Sequence, residues 1–280
     1  MKENMKRLIT LLLFLLTAIS SMPLTVHAET STSVSMPEFT IRPVYPDNQN
    51  EEVGYFDLNV SPGMSQEIQV EVENMGDTQL QFDALLTNAS TAPSGFIDYA
   101  TPDVQDESML LPFTKVAELS ETSLSVQGGG KGYFTVLLQI PKEPFEGIIL
   151  GGIVVKHVKT EKDVVAEKDD MIKNAYQFAL GVVLSQGNKP VDSSFELAEV
   201  STGVLNARSA VTAEFRNQSA EAAKDMPFKA EIFYEDHPEA VYKVSRDVSM
   251  APNSVMKYEF IDQEGYGFGE GEYTLRATLL

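Results

Sequence analysis

The sequence contains no cysteine and no tryptophan. Without disulfides, a secreted chain must be held by its apolar core, which excludes the small stapled ectodomain class. Without tryptophan, any aromatic platform for a sugar must come from the 10 tyrosines and 15 phenylalanines. Histidine is nearly absent as well: of three, His27 lies in the leader described below, His157 ends the apolar run "GGIVVKHV", and His237 sits in the turn "YEDHPEA". Two distant histidines and no thiol supply neither metal-ligand spacing nor a nucleophile–base pair. The chain is therefore read as a non-enzyme, with no cofactor and no metal site. Basic charge is scarce too, with 21 Lys and Arg against 41 Asp and Glu. That balance excludes nucleic acid, whose phosphates need basic stripes that release counterions. It leaves solubility, or steering toward a basic partner, as roles for the acidity.

Long apolar runs are also missing. The longest, "LITLLLFLLTAI", has 12 residues, follows Lys2, Lys6 and Arg7, and leads to "VHA" before Glu29. It is too short to span a membrane and matches a secretory signal peptide over residues 1–28. Cleavage after Ala28 leaves 252 residues with a formal charge of −22. That length is enough for two ordinary domains.

What the sequence does have is alternation. "QEIQVEVEN" puts Ile68, Val70 and Val72 on one face, and Gln69, Glu71 and Glu73 on the other. "YFTVLLQI" and "AYQFALGVVL" repeat the pattern, and "SPGMS", "NMGD", "QGGGKG" and "PKEPFEG" punctuate it. After the linker "LSQGNKPVDSS" a second set follows: "SFELAEV", "SAVTAEF", "PFKAEIFYE", "KVSRDVSM", "MKYEFID" and "GEYTLRATL". Short strands between Gly/Pro turns predict an all-β protein of two tandem immunoglobulin-like β-sandwich domains, over residues 37–188 and 192–280. In "GEGEYTLRATL" a Tyr between a Gly-rich turn and a strand matches the tyrosine-corner strand of such sandwiches. Alternation still running at Leu280 leads to the expectation that the last strand is truncated. No stretch predicts a well-capped amphipathic helix; the nearest, "EKDVVAEKDDMIKNA", is read as a charged loop.

Two further clusters are set aside. "GYGFGEG" (265–271) has glycines like a phosphate loop but no following helix to supply a dipole. Glu161, Asp163, Glu167, Asp169 and Asp170 lack the spacing of a calcium loop, and Lys162 and Lys168 are interleaved among them.

One long stretch is more specific than its composition. "FTIRPVYPDNQNEEVGYFDLNVSPGMSQEIQVEVEN" (39–74) resembles the start of the WxL-interacting proteins of Gram-positive bacteria. The likeness lies in the Tyr-Pro-x-Asn-Gln run, in Gly54-Tyr55-Phe56-Asp57-Leu58, and in Pro62-Gly63 before an alternating strand. "PFEGIILGGIVV" (144–155) is similar to the later Gly-rich strand pair of the same domain, and "MAPNS" (250–254) with "GEGEYTLRATL" to the family's second domain. The resemblance implies a cell-surface protein whose first domain binds peptidoglycan and associates with WxL-domain proteins, and whose second binds a host extracellular protein. It also implies a C-terminal transmembrane helix and basic tail, which these 280 residues do not include.

Within that frame, "YPDNQNEEVGYFDL" (45–58) supplies the candidate ligand-binding residues Tyr45, Asp47, Asn48, Gln49, Tyr55 and Asp57. Asn48 and Gln49 offer paired amide donors and acceptors, the tyrosines offer flat faces, and Asp47 offers a charge for a cationic stem group. The other reading of the same residues is that the amides satisfy the backbone of a long loop and brace the first strand. A second functional reading is also open: a secreted chaperone or surface-fibre subunit that works by β-strand addition.

Overall fold

The computed structural model describes residues 37–158, 176–187, 189–261 and 268–279. The expected signal peptide, the acidic run 161–170 with the charged loop around it, the first part of "GYGFGEG" and Leu280 lie outside the described residues. Along the first half the elements are β1 (Phe39–Val44), β2 (Phe56–Asn59), β3 (Ser65–Asn74), β4 (Leu80–Asn88), β5 (Ser90–Thr91) and β6 (Ile97–Asp98). A single helical turn, α1 (Phe113–Val116), precedes β7 (Ala117–Leu119), β8 (Ser123–Val126), β9 (Lys131–Gln139), β10 (Ile148–Val158) and β11 (Gln177–Ser185).

The alternating stretches become strands because each has one apolar face to bury. Val70 pairs with Phe134 and Ile68 with Val136 across β3 and β9, so all four point to one side. They close the sheet β1-β3-β9-β7 onto the sheet β2-β11-β10-β4-β8. Phe56, Leu58, Ile153, Val182 and Leu184 come from the second sheet, and all are buried. At the other end of the sandwich, Phe39 packs against Phe82 and Phe178 with ring centroids 4.8 and 4.9 Å away. Neighbouring strands are antiparallel except β2, which runs parallel to β11.

Two adjacent glycines allow β10 to be pressed from both sides. A Cβ on Gly151 would stand 2.2 Å from the ring of Phe113, which α1 drops into the core. A Cβ on Gly152 would stand 2.2 Å from the carbonyl oxygen of Tyr99 on the outer face. There the 92–101 loop crosses the sheet, and Thr87 Oγ1 donates to that same carbonyl at 2.6 Å.

The second sandwich has six described strands: β12 (Phe195–Leu205), β13 (Arg208–Asn217), β14 (Ala223–Tyr234), β15 (Ala240–Met250), β16 (Ser254–Ile261) and β17 (Tyr273–Leu279). They form two three-stranded sheets, β12-β13-β16 and β15-β14-β17. Phe215, Phe228, Ile232, Met250, Met256 and Phe260 fill the space between them. Tyr273 opens β17 and its hydroxyl donates back to the Gly269 carbonyl at 3.2 Å, the bond that defines a tyrosine corner. One flank of this sandwich is open. Val200 pairs with Ala213 and Leu197 with Phe215, so they share the core-side face of their sheet. Yet Leu197, Val200 and Val204 are 48, 47 and 78% exposed.

The sandwiches meet through a buried junction. Ala89 and Leu150 of the first pack on Ala251 of the second. Thr91 Oγ1 lies 2.6 Å from Ser254 Oγ and accepts from the Ala251 N–H at 3.0 Å. Ile148 N–H donates to the Ala220 carbonyl at 2.7 Å, and Ser249 N–H to the Gly95 carbonyl at 2.8 Å. Gly147 (φ +72°) is required beside the first of these, since a Cβ there would stand 2.0 Å from the Ala220 oxygen.

Candidate functional site

The stretch 45–58 folds back on the edge of β2. Asn50 N–H donates to the Asp57 carbonyl at 2.8 Å, and Asn59 N–H donates to the Asn48 carbonyl at 3.1 Å. Gln49 thereby bridges to Leu58, and the outer edge of β2 is capped. A sheet edge left bare would invite pairing with another chain.

The side chains serve the same loop. Asn48 Nδ2 donates to the Asn59 carbonyl at 2.9 Å and to Gln66 Oε1 at 3.0 Å, and Gln66 Nε2 returns a bond to Asn48 Oδ1 at 2.9 Å. Gln49 Nε2 donates to the carbonyls of Tyr55 (3.1 Å) and Glu51, and its oxygen accepts from the Asp57 N–H at 3.2 Å. The Tyr45 hydroxyl accepts the Gly54 N–H at 2.8 Å, in a turn where Gly54 has φ +83°. Asp47 is exposed. Of the six candidate residues, Tyr55 and Asp57 line a cavity, while Asn48, Gln49 and Tyr45 hold the loop that carries them.

That cavity is a groove of about 440 Å³ on the outer face of β10 and β11. Its floor is small because β11 presents Ala179, Gly181 and Val183 on this side. A Cβ on Gly181 would stand 3.4 Å from the Tyr99 ring, so the glycine lets that ring lie close to the strand. Tyr55 and Tyr99 supply the aromatic surface, and Leu150 and Ile97 the aliphatic one. Burial, and secondarily the nearby Tyr55 hydroxyl, push the Tyr99 phenol up, so it stays a neutral donor. The wall opposite comes from the other sandwich: Glu221 and Ala222 on the turn into β14, and Lys224 at the start of that strand. A second hollow of about 450 Å³ adjoins it and shares Asp57, Ile148, Val183 and Glu221. The two are halves of one groove at the junction of the sandwiches. Asn50 lines the second half and donates to Asp57 Oδ1 at 3.0 Å.

The first half is mainly apolar with a few convergent polar groups, the usual composition of a ligand site, and the second half is more polar. Among the described residues no group of three or more His, Asp or Glu is placed to hold a metal. His157 lies tilted beside Phe82 in the first sandwich, and His237 lies by Tyr234 in the second.

Tyr99, Gly181, Glu221 and Lys224 escaped the sequence reading. Gly181 had a local signal, an isolated glycine within an alternating strand, which marks close approach by another group. Glu221 and Lys224 had none, because they reach the groove only through the docking of the two sandwiches.

Two domain families match the sequence. The one described as "WxL Interacting Protein, peptidoglycan binding domain" matches residues 39–157, and "WxL Interacting Protein, host binding domain" matches residues 167–280. The second match includes β11, which the fold places in the first sandwich. No curated protein matches the sequence. Fimbrial chaperones are among the solved structures that align with the chain, at low identity and low TM-score. A chaperone–tip adhesin complex of CFA/I fimbriae is 9% identical, with a TM-score of 0.37, over 87% of this chain and 98% of that one. The CsuC–CsuE complex of Acinetobacter baumannii is 12% identical, with a TM-score of 0.36, over 82% and 95%. The CupB2 chaperone of Pseudomonas aeruginosa is 13% identical, with a TM-score of 0.33, over 76% and 92%.

Proposed function

Because the chain belongs to the WxL-interacting proteins, with that family's peptidoglycan-binding and host-binding domains in order, we propose that it is a non-catalytic adaptor of the bacterial cell surface. In this reading it holds wall peptidoglycan in the groove between its sandwiches. Other faces meet a WxL-domain protein and a host extracellular protein. The observation that carries the reading is the groove itself: Tyr55 and Tyr99, from the part of the chain that matches the domain named for peptidoglycan, line it over a floor of small residues on β11, within the host-binding match. Tyrosine faces suit sugar rings and peptide planes, and their hydroxyls hydrogen-bond at the wet margin.

The test is co-sedimentation with purified sacculi. The native chain is expected to pellet with them and to release no soluble fragments. Tyr55→Ala should lower retention severalfold, since an aromatic contact contributes about 0.5–1.5 kcal/mol beyond its area. Full retention in both Tyr55→Ala and Tyr99→Ala would move the wall site elsewhere. The alternative, a chaperone or fibre subunit acting by strand addition, draws on the open β12 flank and predicts no sedimentation at all.

A further inference from the structure

Asp57 and Glu221 stand at the waist of the groove, each lining both of its halves, and they come from different sandwiches. Asp57 lies on β2, and Glu221 on the turn between β13 and β14. The nearby cations at the same junction already have carboxylate partners, including Lys189, which lines the second half of the groove. Arg216 is paired with Asp106, Glu107 and Glu196, Lys257 with Glu214 at 2.6 Å, and Lys189 with Glu146 at 2.5 Å. Asp57, Glu221 and Lys224 have no ion-pair partner among the described residues. The Asn50 amide holds one Asp57 oxygen in place, but it is neutral and leaves the charge uncancelled. A cation bound at the waist would meet a carboxylate from each sandwich, and charge-assisted hydrogen bonds to a carboxylate are the strong ones.

Of the two components of peptidoglycan, only one matches this pattern. The glycan backbone of amide sugars is neutral and calls for ring faces and neutral hydrogen bonds. The stem peptide carries free carboxylates and, on its diamino acid, a free side-chain ammonium. We propose that the groove reads the stem peptide: the side-chain ammonium lies between Asp57 and Glu221, and a carboxylate of the same peptide meets Lys224. This rests on the peptidoglycan reading and deepens it. Its consequence is that the second sandwich, matched as a host-binding domain, takes part in wall recognition.

The full chain is titrated with the peptide N-acetyl-L-Ala-γ-D-Glu-L-Lys-D-Ala, whose amino terminus is blocked as it is in the wall, and with its side-chain-acetylated form. Acetylation is expected to weaken binding about tenfold or more, the usual scale for losing a charge-assisted hydrogen bond. Glu221→Gln should weaken binding of the free-amine peptide to a similar degree and leave the acetylated peptide nearly unaffected. Lys224→Gln should weaken both peptides alike. Asp57→Asn should follow Glu221→Gln, and if it fails to fold, Glu221→Gln carries the test alone. Equal affinity for the two peptides, or a Glu221→Gln chain that binds as the native one does, overturns the proposal. If the native chain still pellets with sacculi in that case, only the stem-peptide assignment falls. If it does not pellet, the peptidoglycan reading falls with it.

Discussion

Both ends of the Asn48 carboxamide are engaged, with Gln66 on β3 and with the Asn59 carbonyl at the end of β2. An alanine there strands a half-buried amide and a carbonyl, at about 1–3 kcal/mol. The double variant Asn48→Ala, Gln49→Ala is therefore expected to melt several degrees lower and, at low temperature, to bind sacculi nearly as the native chain does. Thermal melts with parallel sedimentation check this. An unchanged melting temperature with lost retention would return the two amides to the ligand-binding set. The residue types of this stretch were legible as either recognition or bracing, and the sequence had no means to choose. The choice depends on Gln66, a partner 18 positions away that only the folded β3 brings alongside. Asp57 and Tyr55 belong to the groove for a similar reason, since β2 lies parallel to β11 and so faces Val183.

At the level of elements, strands announced themselves wherever apolar residues alternated, because that period buries one face and solvates the other. The helical turn α1 was not legible: four residues, Pro112 at its start and no side-chain cap give no periodic signal. Nor was the exposure on β12. Leu197 and Val200 are three positions apart, so strict alternation puts them on opposite faces, and the bulge between Leu197 and Glu199 brings both to the core side. Among the described residues, however, the opposing sheet leaves Leu197, Val200 and Val204 48, 47 and 78% exposed. An uncovered apolar edge is a site for strand pairing. Val200→Lys with Val204→Lys is expected to change stability by no more than about 1 kcal/mol, since uncovered positions contribute little. The same change should reduce concentration-dependent association in sedimentation velocity and leave sacculus binding intact. A strong fall in melting temperature would mean that the flank is covered core. Loss of sacculus binding would favour strand addition as the working mode.

Over the whole molecule, the linker read from "LSQGNKPVDSS" carries no information on how the two sandwiches meet, and the structure docks them through Ala89, Leu150 and Ala251 and through an ion cluster. Arg216 of the second sandwich reaches Asp106 at 3.2 Å, Glu107 at 3.1 Å and Glu196 at 3.5 Å. Burial alone would push the Asp106 carboxyl up, but the Ser108 hydroxyl and N–H and the Arg216 guanidinium outweigh it, and the net displacement is downward. A carboxyl held below its ordinary value stabilises the fold fully above the ordinary aspartate range, near pH 4. That contribution is lost as the pH falls through the lowered folded value. Because Arg216 and Asp106 sit on different sandwiches, acid should loosen the junction, and with it the groove that Glu221 and Asp57 complete from the two sides. The expected result is a melting temperature that drops below about pH 4 more steeply in the native chain than in Asp106→Asn, which has no such proton to take up. Melts recorded from pH 6 to pH 2.5 compare the two slopes, and Asp106→Asn should already be the less stable chain at pH 6. Parallel slopes would show that the Arg216 cluster sits at the junction without holding it, leaving the apolar contact of Leu150 and Ala251 to do so.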